Sequence, residues 1–156
     1  MAIDYNQILP NLFIGTFPQG FDDIQHLKDY CWVTAVLSLQ TDDDLLFRGI
    51  DWEGMGIFYR NLGIETCRIP MQDFDHEDQR KRLPDAVSVL AGLLSSGHIV
   101  YLHCTAGVGR SPVVAMAYLY WCLNMRCEDA IKHVRDRRLC WPFADLLEVS
   151  RSEKPI

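Results

Sequence analysis

The sequence predicts a single α/β domain in which helices pack around a central, mostly parallel sheet of four to five strands. Short apolar runs with β-branched residues alternate with longer segments of helical periodicity, the order expected when helices connect parallel strands. A length of 156 residues is enough for one domain with its own core, and no repeat, linker or low-complexity segment divides residues 1–156. Contents of 49% hydrophobic and 23% charged residues are typical of a globular protein.

The individual elements follow from local patterns taken in chain order. The predicted strands cover 7–15, which contains an early proline, 33–39, 64–69 and a run that begins at 98. The predicted helices cover 21–30, 51–62, 77–96, 112–123, 128–138 and 143–150, with polar connections at 16–20 and 40–44. The segment 33–39 is apolar throughout, as in a central strand buried on both faces. Apolar residues from Leu83 to Leu94 are spaced by 4, 3 and 4 positions, the period of one helix face.

The segment 98–112 is the most informative stretch, because it combines a strand, a tight loop and the start of a helix. The apolar run before Cys104 predicts the strand, and the long apolar segment from Pro112 predicts a central, buried helix. Gly107 and Gly109 allow the chain to turn sharply and to bring backbone N–H groups close to a ligand. The helix points its positive end at the same place, so the loop is a predicted phosphate cradle.

Cys104 and Arg110 stand at the two ends of this loop. A thiol beside a helix amino terminus and an arginine favours its thiolate form, which is the nucleophilic one. The planar guanidinium of Arg110 can hold two oxygens of a phosphoryl group. The predicted phosphate-binding residues are Thr105, Ala106, Gly107, Val108, Gly109 and Arg110. The alternative is that Cys104 is a structural cysteine buried at the end of a strand.

The loop sequence HCTAGVGRS, residues 103–111, resembles the signature loop of the dual-specificity class of cysteine-dependent protein tyrosine phosphatases. Within that superfamily it is most similar to the glucan phosphatases, the group of laforin and the plant starch-excess and like-starch-excess enzymes. The preceding GHIVY is laforin-like. The resemblance extends from about residue 5 to residue 148 and implies one phosphatase domain that uses no metal and no cofactor. We expect no carbohydrate-binding module within the 156 residues.

A second catalytic group must protonate the leaving oxygen, and a carboxylic acid from another part of the chain is the expected source. Asp73, Asp75 and Asp78 all lie in the polar segment after the predicted strand 64–69, and chemistry alone leaves all three open. The resemblance implies that Asp73 is the general acid. We expect Asp75 or Asp78 to cap the following helix instead, because they lie nearer to its start.

Two neighbours of the loop also have expected roles. The hydroxyl of Ser111 can donate a hydrogen bond to the Cys104 sulfur when that sulfur is the leaving group. Capping of the helix explains a serine at this position nearly as well. For His103 the resemblance implies a structural role in ordering the loop, without proton transfer.

The substrate class is predicted from the uncharged loop and from four aromatic residues. Thr105, Ala106 and Val108 carry no charge, whereas phosphatases for highly phosphorylated inositol lipids tend to carry lysines there. The resemblance implies a channel lined by aromatic rings, which pack well against sugar rings. The matching positions are Tyr5, Phe47, Phe74 and Trp141. Each ring alone is also explained by packing in the core, least easily for Phe74 between two aspartates.

Two positions depart from the plant enzymes. Arg48 replaces a second aromatic residue after the position of Phe47, which changes the expected shape of the channel. Ser38 replaces the cysteine that pairs with the nucleophile in a redox-regulated plant member, so this form of redox control is not expected. The six cysteines show no CxxC pair and no zinc spacing, which favours free thiols and a reducing compartment.

The net charge and the search for targeting signals restrict the classes of partner and the cellular location that we expect. A net charge of −6 argues against nucleic acid or an anionic membrane as the main partner, because both attract basic surfaces. No segment resembles a signal peptide or a membrane span. We therefore expect a cytoplasmic location, or a plastid if a transit peptide has been removed.

The sequence supports one leading function and two alternatives. The leading hypothesis is a phosphatase that removes phosphate monoesters from a starch- or glycogen-like glucan through a cysteinyl-phosphate intermediate. The first alternative is a dual-specificity protein phosphatase that acts on phospho-Ser, phospho-Thr and phospho-Tyr. The second is a non-catalytic scaffold that binds a glucan or a phosphoprotein, which the presence of Cys104, Arg110 and Asp73 disfavours.

Overall fold

The computed structural model describes residues 3–151 and contains one five-stranded sheet. The strands are β1 (Tyr5–Leu9), β2 (Leu12–Gly15), β3 (Ala35–Ser38), β4 (Glu65–Arg68) and β5 (Val100–His103). Their order in the sheet is β1-β2-β5-β3-β4, and all neighbours are parallel except the antiparallel pair β1 and β2. The predicted α/β class and the mostly parallel sheet are therefore confirmed.

Helices cover both faces of the sheet. They are α1 (Phe21–Cys31), α2 (Asp42–Phe47), α3 (Trp52–Asn61), α4 (His76–Ser95), α5 (Arg110–Trp121), α6 (Cys127–Arg137) and α7 (Leu146–Val149). Residues of α4, α5 and α6 pack in the larger apolar cluster, and residues of α1 and α3 pack in a second cluster. Eleven of the twelve residues of α5 are buried, as its continuous apolar sequence predicts. No helix within residues 3–151 is long and apolar enough to cross a lipid bilayer.

The single strand predicted over 7–15 is wrong, because this segment forms a hairpin. β1 and β2 pair Leu9 with Leu12, and the two residues between them, Pro10 and Asn11, make the turn. Proline cannot donate to a sheet ladder and is favoured in turns, so the early proline ends the first strand. The result is an antiparallel edge strand on a parallel sheet.

Two short helices also differ from the prediction. The polar segment 40–44 leads into α2, where Thr41 and Asp44 form a capping box. At the other end of the chain, α7 comprises only the four residues Leu146–Val149 instead of 143–150. Both helices have six residues or fewer, which is too short for hydrophobic periodicity to define them.

The long helix α4 continues through Pro84, which lacks the N–H group that would bond to the carbonyl four residues earlier. That carbonyl belongs to Arg80, and it accepts a hydrogen bond from Ser150 Oγ at 3.0 Å. A side chain from the end of the chain thus compensates for the missing helical bond.

The three inner parallel strands determine where a ligand can bind. Gly15, His103 and Ser38 occupy the last positions of β2, β5 and β3 and lie side by side. In open α/β sheets, ligands bind beyond the carboxyl ends of parallel strands. The loop between β5 and α5 lies at this edge.

Candidate active site

The loop from Cys104 to Arg110 has the geometry of an anion cradle. Each backbone carbonyl from 104 to 109 accepts a hydrogen bond from another group of the protein. Among the described residues, the N–H groups of 105–109 donate to no protein acceptor. Successive unpaired N–H groups next to a helix amino terminus form a site for an oxyanion.

The turn of the loop requires glycine at position 107. Gly107 has φ +70°, a conformation that L side chains rarely adopt. A Cβ atom there would lie 2.6 Å from the backbone carbon of Gly15 and 2.7 Å from Nη2 of Arg138. The loop is therefore tightly confined between the end of β2 and a buried arginine.

Cys104 is 3% exposed and lies at the floor of a cavity of about 230 Å³. Its sulfur is 3.5 Å from Oγ of Ser111, which is fully buried in the first turn of α5. The amino end of α5 has no side-chain cap, so this structure places the Ser111 hydroxyl at the sulfur and not in a cap. The cavity is lined by Asp73, Phe74, Gln79, Cys104, Ala106, Val108, Gly109, Trp141 and Phe143.

Arg110 is 1% exposed, and acceptors on several segments hold its guanidinium. Nη1 donates to Oδ2 of Asp44 at 2.6 Å and to the carbonyl of Met71 at 2.9 Å. Nη2 donates to Oγ1 of Thr105 at 3.2 Å and lies 3.4 Å from Oδ2 of Asp73. Nε has no partner among residues 3–151. Protein acceptors therefore hold both Nη groups, and Nε is the donor of the fork that stays unpaired within residues 3–151.

Asp44 is a functional residue that sequence reasoning missed. Burial alone raises its pKa, but hydrogen bonds from Arg110 and Thr41 outweigh burial and hold the pKa below its ordinary value. The same carboxylate accepts the N–H of Thr41 in the capping box of α2. The TxxD pattern of residues 41–44 was the available signal, although it identifies a helix cap and not a partner 66 positions away.

Asp73 lies in the wall of the cavity that contains Cys104. The backbone before it is fixed at Gln72, whose N–H donates to Asp78 and whose carbonyl accepts from Gln79. Asp75 caps α4 by accepting the N–H of Asp78, as expected from its position. Of the three candidate carboxylates, Asp73 is the one that lines the cavity.

His103 is buried behind the loop and is a neutral imidazole at physiological pH. Burial and the nearby positive charge of Arg110 lower its pKa to about 4, although a hydrogen bond to the Cys104 carbonyl opposes them. Nδ1 donates to that carbonyl at 2.9 Å, and Nε2 has no partner among the described residues. The contact fits the expected ordering of the loop.

Phe74 and Trp141 line the cavity but remain largely exposed, at 89% and 69%. Phe74 has φ +58°, which is costly for a bulky residue and is often found at functional sites. The backbone of Trp141 is fixed by its amide N–H, which donates to the carbonyl of Val108 at 2.7 Å. Phe143 is a third aromatic lining residue, and its sequence position after a proline gave no signal for it.

Tyr5 and Phe47, the other two predicted substrate-binding residues, are not in this cavity. Tyr5 is part of the second apolar cluster, where its ring contacts Phe13 and Tyr101 and its hydroxyl bonds to His26 at 2.8 Å. Phe47 is 83% exposed at the end of α2, with the guanidinium of Arg48 5.4 Å from its ring centre. The structure therefore explains Tyr5 by packing, whereas Phe47 remains free to contact a ligand outside the cavity.

All six cysteines lie within the described residues, and none of them forms a disulfide bond there. No group of His, Cys, Asp and Glu side chains within residues 3–151 is arranged to hold a metal ion.

Comparison with known proteins agrees with this geometry. The family model for the dual specificity phosphatase catalytic domain matches residues 12–143. The amyloplastic phosphoglucan phosphatase DSP4 of Castanea sativa is 32% identical over 155 residues, which cover 98% of this chain and 41% of that protein. Laforin of Mus musculus is 33% identical over 133 residues, which cover 79% of this chain and 40% of laforin. The chain thus spans about two fifths of the length of these two relatives.

The fold also agrees with a solved structure. The crystal structure of PTPMT1 in complex with PI(5)P superimposes with a TM-score of 0.78 and covers 95% of this chain and 92% of that chain. At 22% sequence identity, this similarity bears on the fold alone.

Proposed function

The chain belongs to the dual specificity phosphatase family and is a cysteine-dependent phosphoric monoester hydrolase, and from that premise we propose that it removes phosphate from a phosphorylated glucan. The observation that carries the proposal is the pair of exposed rings, Phe74 and Trp141, in the wall of the cavity that holds Cys104. Flat apolar rings beside a phosphate cradle suit a sugar chain, whose C–H faces pack on them. Similarity to the phosphoglucan phosphatase DSP4 and to laforin adds to this support.

The proposed first step transfers the phosphoryl group to Cys104. The thiolate attacks phosphorus, the bond from phosphorus to the glucosyl oxygen breaks, and Asp73 gives its proton to the leaving oxygen. The N–H groups of 105–109 and Nε of Arg110, all without an acceptor within residues 3–151, bind the phosphoryl oxygens.

The proposed second step releases inorganic phosphate. Water attacks phosphorus, its proton passes to the Asp73 carboxylate, and the bond between phosphorus and sulfur breaks to restore the thiolate. Ser111, 3.5 Å from the sulfur, donates a hydrogen bond that stabilises the departing thiolate. Water supplies the hydroxyl group, so the two steps together hydrolyse one monoester.

Charge around the site favours a neutral polymer over an acidic phosphopeptide. Asp43 is an exposed carboxylate in the first turn of α2, which contacts Arg110 through Asp44, while its neighbour Asp42 pairs with Arg68 at 2.7 Å. Asp73 lines the cavity, and Asp75 follows it as the cap of α4. A substrate with several negative charges is repelled by these carboxylates, whereas a glucan with one phosphate meets them with uncharged hydroxyls.

Phosphate release from amylopectin, compared with release from phosphopeptides, tests this proposal. We expect kcat/KM for glucan-bound phosphate to exceed that for phosphopeptides, and Cys104→Ser to abolish both, because a serine hydroxyl does not ionise near neutral pH. Higher kcat/KM for phosphopeptides would support a dual-specificity protein phosphatase instead. Binding of either ligand without turnover by the wild type would support a scaffold.

We place the enzyme in a reducing compartment, cytoplasmic or plastidial, where its cysteines stay out of disulfide bonds.

A further inference from the structure

Arg138 is a buried arginine that the proposed reaction does not use. It follows α6 directly and is 5% exposed. Its Nε donates to the carbonyl of Gly107 at 2.6 Å, and its Nη2 donates to the carbonyl of Ala106 at 3.2 Å. One side chain thus holds two consecutive carbonyls at the centre of the loop.

The other edge of the same guanidinium is anchored to β1. Nη1 donates to Oδ1 of Asn6 at 2.9 Å, and Nη2 lies 3.4 Å from Oδ2 of Asp4. The guanidinium therefore connects the edge hairpin to the loop. With bonds on both edges, it has little freedom to move away from the two carbonyls.

The two hydrogen bonds from Arg138 also determine the direction of two backbone N–H groups, because the peptide group is planar. In a trans peptide the C=O and the following N–H point in opposite directions, and the structure contains no cis peptide bond among the described residues. Carbonyls of Ala106 and Gly107 that point to Arg138 therefore aim the N–H groups of Gly107 and Val108 away from it. Those two N–H groups have no acceptor within residues 3–151, and the residues on either side of Gly107, Ala106 and Val108, line the cavity.

We propose that Arg138 is a positioning residue that aims the N–H groups of Gly107 and Val108 at the phosphoryl oxygens. Close packing also restricts the loop, because a Cβ on Gly107 would meet both Arg138 and Gly15. The role depends on the planar fork of arginine, since a lysine ammonium does not present two parallel donors to neighbouring carbonyls. This positioning role concerns binding of the phosphoryl group alone, so it applies equally to a glucan and to a protein substrate.

The ratio of two alkylation rates at Cys104 measures the cradle directly. Iodoacetate carries a carboxylate that binds in the cradle, whereas iodoacetamide is neutral, so their ratio cancels the reactivity of the thiol itself. Alkylation at Cys104 is followed by mass spectrometry of its peptide, which separates it from the five other cysteines. The inhibition constant for inorganic phosphate, measured with an aryl phosphate substrate, gives a second reading.

We expect Arg138→Met to lower the iodoacetate to iodoacetamide ratio about fivefold or more and to weaken phosphate inhibition about tenfold or more. Loss of one preorganised oxyanion donor commonly changes rates by about 10²–10³, so two misdirected N–H groups suffice for this effect. Arg138→Lys should lie between Arg138→Met and the wild type. Arg137→Met is the matched control, because Arg137 is exposed and, within the described part of the chain, donates only to the carbonyl of His133.

Asn6→Ala keeps the proposal testable if Arg138→Met does not fold. This variant leaves both loop contacts of Arg138 and removes only the anchor of Nη1, so we expect a decrease of about twofold to fivefold in the alkylation ratio. A merely structural Arg138 predicts a lower melting temperature with an unchanged ratio and unchanged phosphate inhibition in the folded variants. That result, in Arg138→Lys and Asn6→Ala together, would overturn the proposal.

Discussion

The carboxylate of Asp44 makes two contacts that have different roles. It closes the capping box of α2 and it holds Nη1 of Arg110 at 2.6 Å in a nearly solvent-free position. Because Nη1 is held there, the remaining edge of the guanidinium is set in a fixed direction before a substrate binds. Such preorganisation is the main source of electrostatic catalysis in many enzymes.

Replacement of Asp44 by Asn should therefore lower kcat/KM for an aryl phosphate by about 10–10²-fold, since the amide keeps the helix cap but loses the charge that fixes Arg110. Asp43→Asn is the control, because Asp43 is an exposed carboxylate in the same helical turn. Steady-state kinetics and thermal unfolding are measured for both variants. Equal kcat/KM in the two variants would show that the ion pair does not position Arg110.

Asp73 and Asp75 differ by two positions but have separate expected roles. Asp73→Ala should slow hydrolysis of sugar phosphates by about 10²–10⁴-fold and slow activated aryl phosphates much less, because general acid catalysis matters most for a basic leaving oxygen. Asp75→Ala should leave that selectivity unchanged and lower stability by about 1 kcal/mol through loss of the α4 cap. The measurement is the ratio of kcat/KM for a sugar phosphate to kcat/KM for an aryl phosphate in each variant. A ratio that falls in Asp75→Ala and not in Asp73→Ala would assign the general acid to Asp75.

The buried imidazole of His103 makes stability depend on pH. Its pKa is lowered to about 4 by burial and by Arg110, whereas an unfolded histidine titrates near 6.5. Below about pH 6.5 the unfolded chain gains a proton that the folded chain does not, so stability falls as the pH drops towards 4. The shift corresponds to about 3 kcal/mol.

His103→Asn should remove this part of the pH dependence, because the Asn amide still donates a hydrogen bond but does not titrate. Urea unfolding of the wild type and of this variant, at pH 7 and at pH 4, gives the four free energies needed. The stability advantage of the wild type should shrink by about 3 kcal/mol between the two pH values. An advantage that stays constant would mean that folded His103 takes up the proton.

At the scale of elements, α4 depends on a residue from the far end of the chain. Ser150→Ala removes the donor that serves the Arg80 carbonyl opposite Pro84, and we expect a loss of about 1–2 kcal/mol in unfolding free energy. Ser95→Ala is the comparison, since Ser95 makes an exposed bond to Gly92 within the same helix. Denaturant titration of both variants measures the difference, and equal losses would remove the compensating role of Ser150.

Elements with strong local signals could be predicted from the sequence, and elements fixed by distant contacts could not. The loop 103–111 and helix α5 have a glycine-rich turn followed by a long apolar run, which are both local patterns. The turn at Pro10 was missed because the apolar runs on both sides of it were interpreted as one strand. The pairing of Arg110 with Asp44, and of Arg138 with the loop carbonyls, spans 66 and 31 positions and depends on the finished fold.

At the scale of the whole molecule, the site is assembled from segments that are far apart in the chain. The loop after β5 supplies Cys104, the segment after β4 supplies Asp73 and Phe74, and the segment after α6 supplies Trp141. A hydrogen bond between Nε2 of His76 and Oδ2 of Asp145, 2.7 Å apart, connects the second segment to the third. The two exposed rings, Phe74 and Trp141, therefore lie on separate segments of the chain that the fold brings to the same cavity.

This arrangement predicts that the rings contact the polymer, whereas the loop performs the chemistry. Phe74→Ala and Trp141→Ala should each lower kcat/KM for amylopectin several-fold and leave a small aryl phosphate nearly unchanged. A stacking contact contributes on the order of 1 kcal/mol, which corresponds to about a fivefold change in affinity. Because both rings are largely exposed, neither variant should lose much stability. Tyr5→Ala is the contrast, since its ring packs in the second cluster, and it should lower the melting temperature and reduce both activities together. If Phe74→Ala and Trp141→Ala behave like Tyr5→Ala, the rings serve packing and the glucan proposal loses its main support.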